Sequence, residues 1–151
     1  MQPKYRRLSD VIADVCAKLG DIRELESIEP YFETDLTGLM TAINGQATMP
    51  AAIVTVDNAA HNEPGSRNSR VMDVAIYIIG SANMGRTGTP PLMDISDEVI
   101  ETFSPPAATP ARTLKINGVD YDPVVTSLLP DFEGRNVIQV MLKAFDYRQN
   151  R

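Results

Sequence analysis

The chain has 151 residues, 20 acidic against 14 basic side chains for a formal charge of −6, and a 43% hydrophobic, 23% charged composition. That describes one globular domain with room for a single core, neither disordered nor membrane-embedded. With no Trp, few aromatics and scattered Lys and Arg, the chain also lacks the basic face and stacking residues of a sequence-reading nucleic-acid binder.

The one local basic excess is Lys4, Arg6 and Arg7. Cys16 is the only cysteine, which excludes an internal disulfide and a multi-cysteine zinc site. The N-terminus turns polar and charged at once, and no apolar run approaches membrane-spanning length. A signal peptide and a membrane segment are therefore not expected, and cytoplasmic synthesis is the default.

Leu8, Val11, Ile12, Val15, Cys16 and Leu19 fall on one helical stripe, beginning at Pro3 or Ser9. Gly20 sits where a left-handed C-terminal residue is wanted. Cys16 lies on the apolar side of this helix, where a free thiol behaves as a small hydrophobe. Residues 22–32 have helix-like spacing at Ile22, Leu25 and Ile28, but Pro30 and the Tyr31-Phe32 pair favour a strand. Asp35 reads as the cap of a short helix through Leu36, Leu39, Met40 and Ile43, ended by Asn44-Gly45.

After Pro50 the pattern turns β. Residues 51–56 form a short strand, followed by a long polar loop over 58–69. The strand over 70–79 has Met72, Val74, Ile76 and Ile78 on one face. Its other face carries Val71, Asp73, Ala75, Tyr77 and Ile79, a mixture that suits a protein–protein contact better than core or open water. A loop over 80–91 leads to a second long helix, striped by Leu92, Ile95, Val99, Ile100 and Phe103. Asp94, Asp97 and Glu98 near its start suit the helix dipole, and Pro105, Pro106 and Pro110 end it. Asn117-Gly118 between short apolar runs is a hairpin signal. Two last strands, over 124–129 and 137–147, flank a turn at 131–134. The order predicts an α+β domain with a mainly antiparallel sheet and helices packed on one face.

Three constellations invite chemistry, and each has a plainer reading. Gly80-Ser-Ala-Asn-Met-Gly85-Arg86-Thr87 is one residue away from a phosphate-cradling loop after an apolar strand. Arg86 stands in place of the phosphate-reaching lysine, and Gly88-Thr-Pro-Pro91 cannot start the required helix. His61, the only histidine, could form a weak metal site or an acid–base pair with Asp57 or Glu63, but it has no nucleophile in a recognisable setting and reads as a surface histidine. Asp10/Asp14 and Asp97/Glu101 read as helix neighbours on solvated faces, and Asp120/Asp122 share a strand face that could bind a cation but is explained equally well by a wet hairpin; none is a tuned acid–base couple. No catalytic residue, metal site or cofactor is expected, and the chain reads as a non-enzyme.

Taken together, the order of elements resembles the tail-terminator or tail-completion proteins of long-tailed, Mu-like bacteriophages. The resemblance rests on the helix ending Cys16-Ala-Lys-Leu19-Gly20, the strand Met49-Pro-Ala-Ala-Ile-Val-Thr-Val56, and the strand Val71-Met-Asp-Val-Ala-Ile-Tyr77-Ile-Ile. It also includes the helix from Ile95 to Phe103 and the C-terminal Val137-Ile-Gln-Val-Met-Leu-Lys-Ala-Phe145-Asp-Tyr147. It covers nearly the whole chain at the level of fold pattern, and the 22–43 stretch departs from it by reading partly helical.

Such a resemblance implies a virion subunit, assembled in the host cytoplasm, that closes into a ring, usually of six. The ring caps the tail tube and docks the head connector, and DNA passes through its lumen without sequence-specific binding. The partners implied are further copies of itself, the tail tube protein and the connector, with no membrane. Another head–tail joining or minor tail protein, or a cellular interaction module, fits the same pattern; a nucleotide-binding protein fits it least. For assembly, the expected contact residues are Asp73, Tyr77 and Ile79 with nearby Phe132, and Arg67 and Arg86 at loop tips. A second patch is expected on a helix or on the polar loop over 58–70.

Overall fold

The computed structural model describes residues 4–61, 69–81, 91–129, 132 and 134–149. In chain order the elements are α1 (Leu8–Leu19), β1 (Ser27–Pro30), α2 (Leu36–Asn44), β2 (Ala51–His61), β3 (Ser69–Ser81), α3 (Leu92–Thr102), β4 (Leu114–Ile116), β5 (Val119–Leu128) and β6 (Arg135–Tyr147). The strands form one six-stranded sheet in the order β1-β2-β3-β6-β5-β4. Only β1 and β2 run parallel; every other neighbouring pair is antiparallel. The fold is α+β, as the pattern predicts.

Local chemistry explains most boundaries. At the β4–β5 turn Asn117 and Gly118 both take positive φ, 49° and 83°, the backbone that a two-residue hairpin with native strand twist requires. The Asp35 carboxylate accepts the Gly38 N–H at 2.9 Å and so caps α2. The Tyr31 hydroxyl donates to the same carboxylate at 2.7 Å. Gly38 leaves room for this arrangement: a Cβ there would meet Asp35 Oδ2 at 2.5 Å and the Tyr31 hydroxyl closer still.

Other expectations change. Gly20 follows α1 in right-handed backbone, φ −60° and ψ −16°, so its freedom to go left-handed is unused. Of residues 22–32, only Ser27–Pro30 form a strand. Ile22 and Leu25 are instead buried in the turns after α1. β2 continues to His61, because residues 58–61 pair with Arg70 to Asp73 of β3 beyond a bulge. Those residues read as loop in the sequence because Asn58-Ala-Ala-His61 has no large apolar side chain, yet such a segment can still satisfy its inner backbone groups against β3.

The sheet is covered on both faces, which corrects the one-sided arrangement. On the first face α1 and α3 bring Val11, Val15, Leu19, Ile95, Val99 and Phe103 against Met72, Val74, Ile76, Ile78, Val140 and Leu142. On the second, Leu39 and Ile43 of α2 join Ala51, Ile53, Ala75, Tyr77, Ile79 and Val137. Each fully buried large apolar side chain contributes about 1.5–3 kcal/mol, so even the smaller cluster weighs in the stability of the domain.

The N-terminal segment is tied down by a polar cluster whose members are far apart in sequence. Arg6 meets Asp14 of α1 through two side-chain hydrogen bonds, at 2.5 and 2.9 Å, and Asn117 donates to Asp14 at 2.8 Å. The Arg6 backbone N–H donates to Asp146 at 2.7 Å. Asp146 is fully buried and lies 3.6 Å from Arg70. The bond from Asp14 chiefly, opposed by partial burial, raises the Arg6 pKa above its already high ordinary value. Among the described residues no helix is long and apolar enough to cross a membrane.

Candidate assembly surface

Alternation along β3 and β6 decides which side chains are available. On the second face the cross-strand rows run Ile79–Val137, Tyr77–Gln139, Ala75–Met141, Asp73–Lys143 and Val71–Phe145. β5 continues four of these rows with Ser127 opposite Gln139, Val125 opposite Met141, Asp122 opposite Lys143 and Asp120 opposite Phe145. α2 covers the Ile79 end of this face. The Val71 end has no helix over it in the described residues.

The expected contact residues therefore separate. Tyr77 is 7% exposed and Ile79 is 0% exposed; both lie in the chain's own second core, so neither side chain is offered to a neighbour. Their apolar character on a mixed face is explained by α2. The Tyr77 hydroxyl accepts a hydrogen bond from Gln139 Nε2 at 3.0 Å. Burial first, and then the Asp57 charge, push its pKa up, against the opposing effect of that hydrogen bond. Phe132 is half-buried against the same cluster.

Asp73 is half-buried on the open end, with Lys143 Nζ 2.8 Å from its Oδ1. Because Asp122 lies across from Lys143 on the other side, one cation sits in a row between two carboxylates. Asp57 nearby has its pKa raised by burial and by repulsion from Asp73, so this corner of the face is net acidic. Arg67, Arg86 and the glycine-containing loop up to Thr87, apart from Gly80 and Ser81 in β3, lie outside the described residues.

Two apolar patches escape the sequence reading. Along the β5 edge, Val124, Val125 and Leu128 are 44%, 54% and 61% exposed, with Val125 in the Met141 row of the second face and Leu128 in the Ile138 row of the first. The register shift between Pro123 and Val125 puts two consecutive valines at the surface. The Val-Val pair was the available signal, since neighbours in a strand point to opposite faces. At the other side of the sheet, Phe32, Leu36 and Met40 are exposed, near where residues 31–36 border Thr55 and Val56 of β2. Leu36 and Met40 share a stripe with Leu39 and Ile43 in the sequence reading, but only the latter two turn to the sheet.

A groove of ≈ 490 Å³ runs between Pro91–Met93 and the sheet end at Leu128, Leu129 and Arg135–Ile138. Arg135 is engaged there with the Gln46 carbonyl at 2.7 Å, and the groove brings no nucleophile–base pair together. His61 packs its ring against Tyr5 at 5.6 Å. Cys16, half-buried beside the first core, has its pKa pushed up by burial to about 11, which keeps it a thiol at neutral pH. Among the described residues no group of three or more His, Cys, Asp or Glu is placed to hold a metal ion.

No protein-family model matches this chain, and no curated protein matches its sequence.

Proposed function

We propose that this chain is a structural, non-enzymatic subunit that assembles with copies of itself into a closed ring, as tail terminators of long-tailed phages do. The observation that carries the reading is that both sides of the sheet expose large apolar side chains: Phe32, Leu36 and Met40 by β2, and Val124, Val125 and Leu128 along the β5 edge. A ring joined head to tail needs two different patches on each subunit, so placed that each meets the other on the next copy. A two-fold dimer would use one patch twice.

The net charge of −6 supports a lumen through which DNA slides without sticking, because a negative wall offers the phosphates no counter-charge. In this reading the ring, of about six copies, stands at the end of a tail tube and meets the head connector in the virion. The mixed open face with Asp73, Lys143 and Asp122 suits a wet contact with those partners. Sedimentation of the purified chain across a concentration series tests the reading: a discrete oligomer of several copies is expected, and a monomer throughout the series contradicts it.

A further inference from the structure

Among the described residues the sheet leaves two half-edges without a neighbouring strand, at diagonally opposite corners. At one side β1 pairs with β2 only from Ala51 to Val54, and the Tyr31 N–H adds one more bond to the Val54 carbonyl. Past that point residues 31–36 border Thr55 to Asp57 outside the β1–β2 pairing, and no strand among the described residues lies beside residues 55–61. At the other side β4 pairs with β5 only from Val119 to Tyr121, and none lies beside residues 122–128.

The registers place these openings relative to each other. Residues 55–61 lie across from β3 between Ala75 and Arg70. Residues 122–128 lie across from β6 between Lys143 and Ile138, which pair with β3 between Asp73 and Ile78. β2 and β5 also run in opposite directions, because three antiparallel pairings separate them.

We propose that copies of this chain join edge to edge, with residues 122–128 of one pairing antiparallel with residues 55–61 of the next, so that the sheet runs on through the assembly. This deepens the self-assembly reading and rests on it. A second copy in the same orientation, displaced by about three residues or roughly 10 Å along the strands, brings the two openings together. In that position β4 of the first copy ends just above the second copy's β2, and β1 of the second copy lies just beyond the end of the first copy's β5. The short outer strands thus act as stops that admit the partner at one stagger. A stagger between successive sheets is also what tilts strands when a sheet closes on itself.

The β5 edge carries the exposed Val124, Val125 and Leu128. An open edge bearing large apolar side chains is a template for unwanted pairing unless something covers it. Strand addition satisfies its backbone groups and covers those side chains together. Pro123, which has no N–H to give, stands at the β4 end of the opening and bounds the pairing there.

Blocking each edge separately tests the proposal. One variant carries Asn58→Lys and Ala60→Lys, the other Val124→Lys and Val125→Lys, since edge lysines oppose strand addition; circular dichroism checks that each stays folded. The wild type is expected to assemble and each variant alone to sediment as a monomer. Their equimolar mixture is expected to stop at a one-to-one dimer, because one intact β5 edge meets one intact β2 edge. A folded variant that still assembles by itself overturns edge pairing while leaving the ring reading standing; a wild type that stays monomeric overturns both.

If a lysine variant fails to fold, disulfide trapping replaces it. In a Cys16→Ser background, Asn58→Cys is combined with Val125→Cys or Ser127→Cys, all on one sheet face, and mildly oxidised. A ladder of linked oligomers is expected from one of the two double variants. No species beyond background from either overturns the proposal.

Discussion

The amide of Gln139 on β6 donates to the hydroxyl of Tyr77 on β3 at 3.0 Å, directly across the strand pair. Because α2 closes over this point, Tyr77 is a core residue whose one polar atom is satisfied in place. Tyr77→Phe removes the acceptor and leaves the Gln139 amide without it, at a cost of about 0.5–1.5 kcal/mol. Tyr77→Asp puts a charge into an apolar cluster and is expected to unfold the chain rather than yield folded monomers. Circular dichroism and denaturant midpoints distinguish these results; a folded Tyr77→Asp variant of near wild-type midpoint would show that α2 does not cover this site.

Ile76 stands at the centre of the first core, with 0% exposure and Val140 opposite it on β6. Truncation to Ala is expected to cost about 2–5 kcal/mol, through lost burial and the residual cavity. Urea denaturation measures it directly, and an unchanged midpoint would contradict the strand phase.

Asp146 is fully buried, accepts the Arg6 N–H at 2.7 Å and lies near Arg70. Asp146→Ala leaves a largely buried guanidinium without this carboxylate, and breaking a buried pair from one side typically costs about 3–5 kcal/mol. Hydrogen exchange adds a local signature: the amides of residues 4–7 should lose protection ahead of the β3 and β6 amides. Retained protection at Arg6 would argue that the segment is held otherwise.

The Asp35 cap predicts a pH dependence. Hydrogen bonds from Tyr31 and from the Gly38 N–H lower the Asp35 pKa below its ordinary 3.8, so the folded state favours the carboxylate. Its contribution is full above the ordinary carboxylate pKa and is lost as pH falls through the lowered folded value. Tyr31 is pushed up to about 12, chiefly by the hydrogen bond to Asp35. The folded state thus favours the neutral phenol, and that contribution is full below the ordinary tyrosine pKa of about 10 and is lost as pH rises through 12. Asp35→Asn keeps a capping side chain but cannot titrate, and should flatten the acid limb of the α2 stability profile. An unchanged acid limb would assign it to other carboxylates.

How much of this was legible in the sequence depends on how local the cause was. The stripes Val11/Val15/Leu19 and Ile95/Val99/Phe103, the Asn117-Gly118 turn and the Asp35 cap each arise within a few residues, and the structure has them where the pattern places them. The covering of Tyr77 and Ile79 by Leu39 and Ile43 was not legible, because α2 and β3 meet only through the tertiary fold. The Arg6–Asp14–Asp146–Arg70 cluster was equally hidden, since its members come from three parts of the chain. Of the expected contact residues that the structure describes, Tyr77 and Ile79 are buried while Asp73 keeps a place on the open end of its face, and the exposed β5 valines are marked in the sequence by the Val-Val pair alone, because the bulge that turns them outward breaks the strand alternation.

Electron microscopy of the purified protein at a concentration where it sediments as an oligomer tests ring assembly most directly. Annular particles of one size are expected, with rotational symmetry and an open centre, built from copies joined across the two sides of the sheet. Compact two-fold dimers or open chains without closure would contradict it.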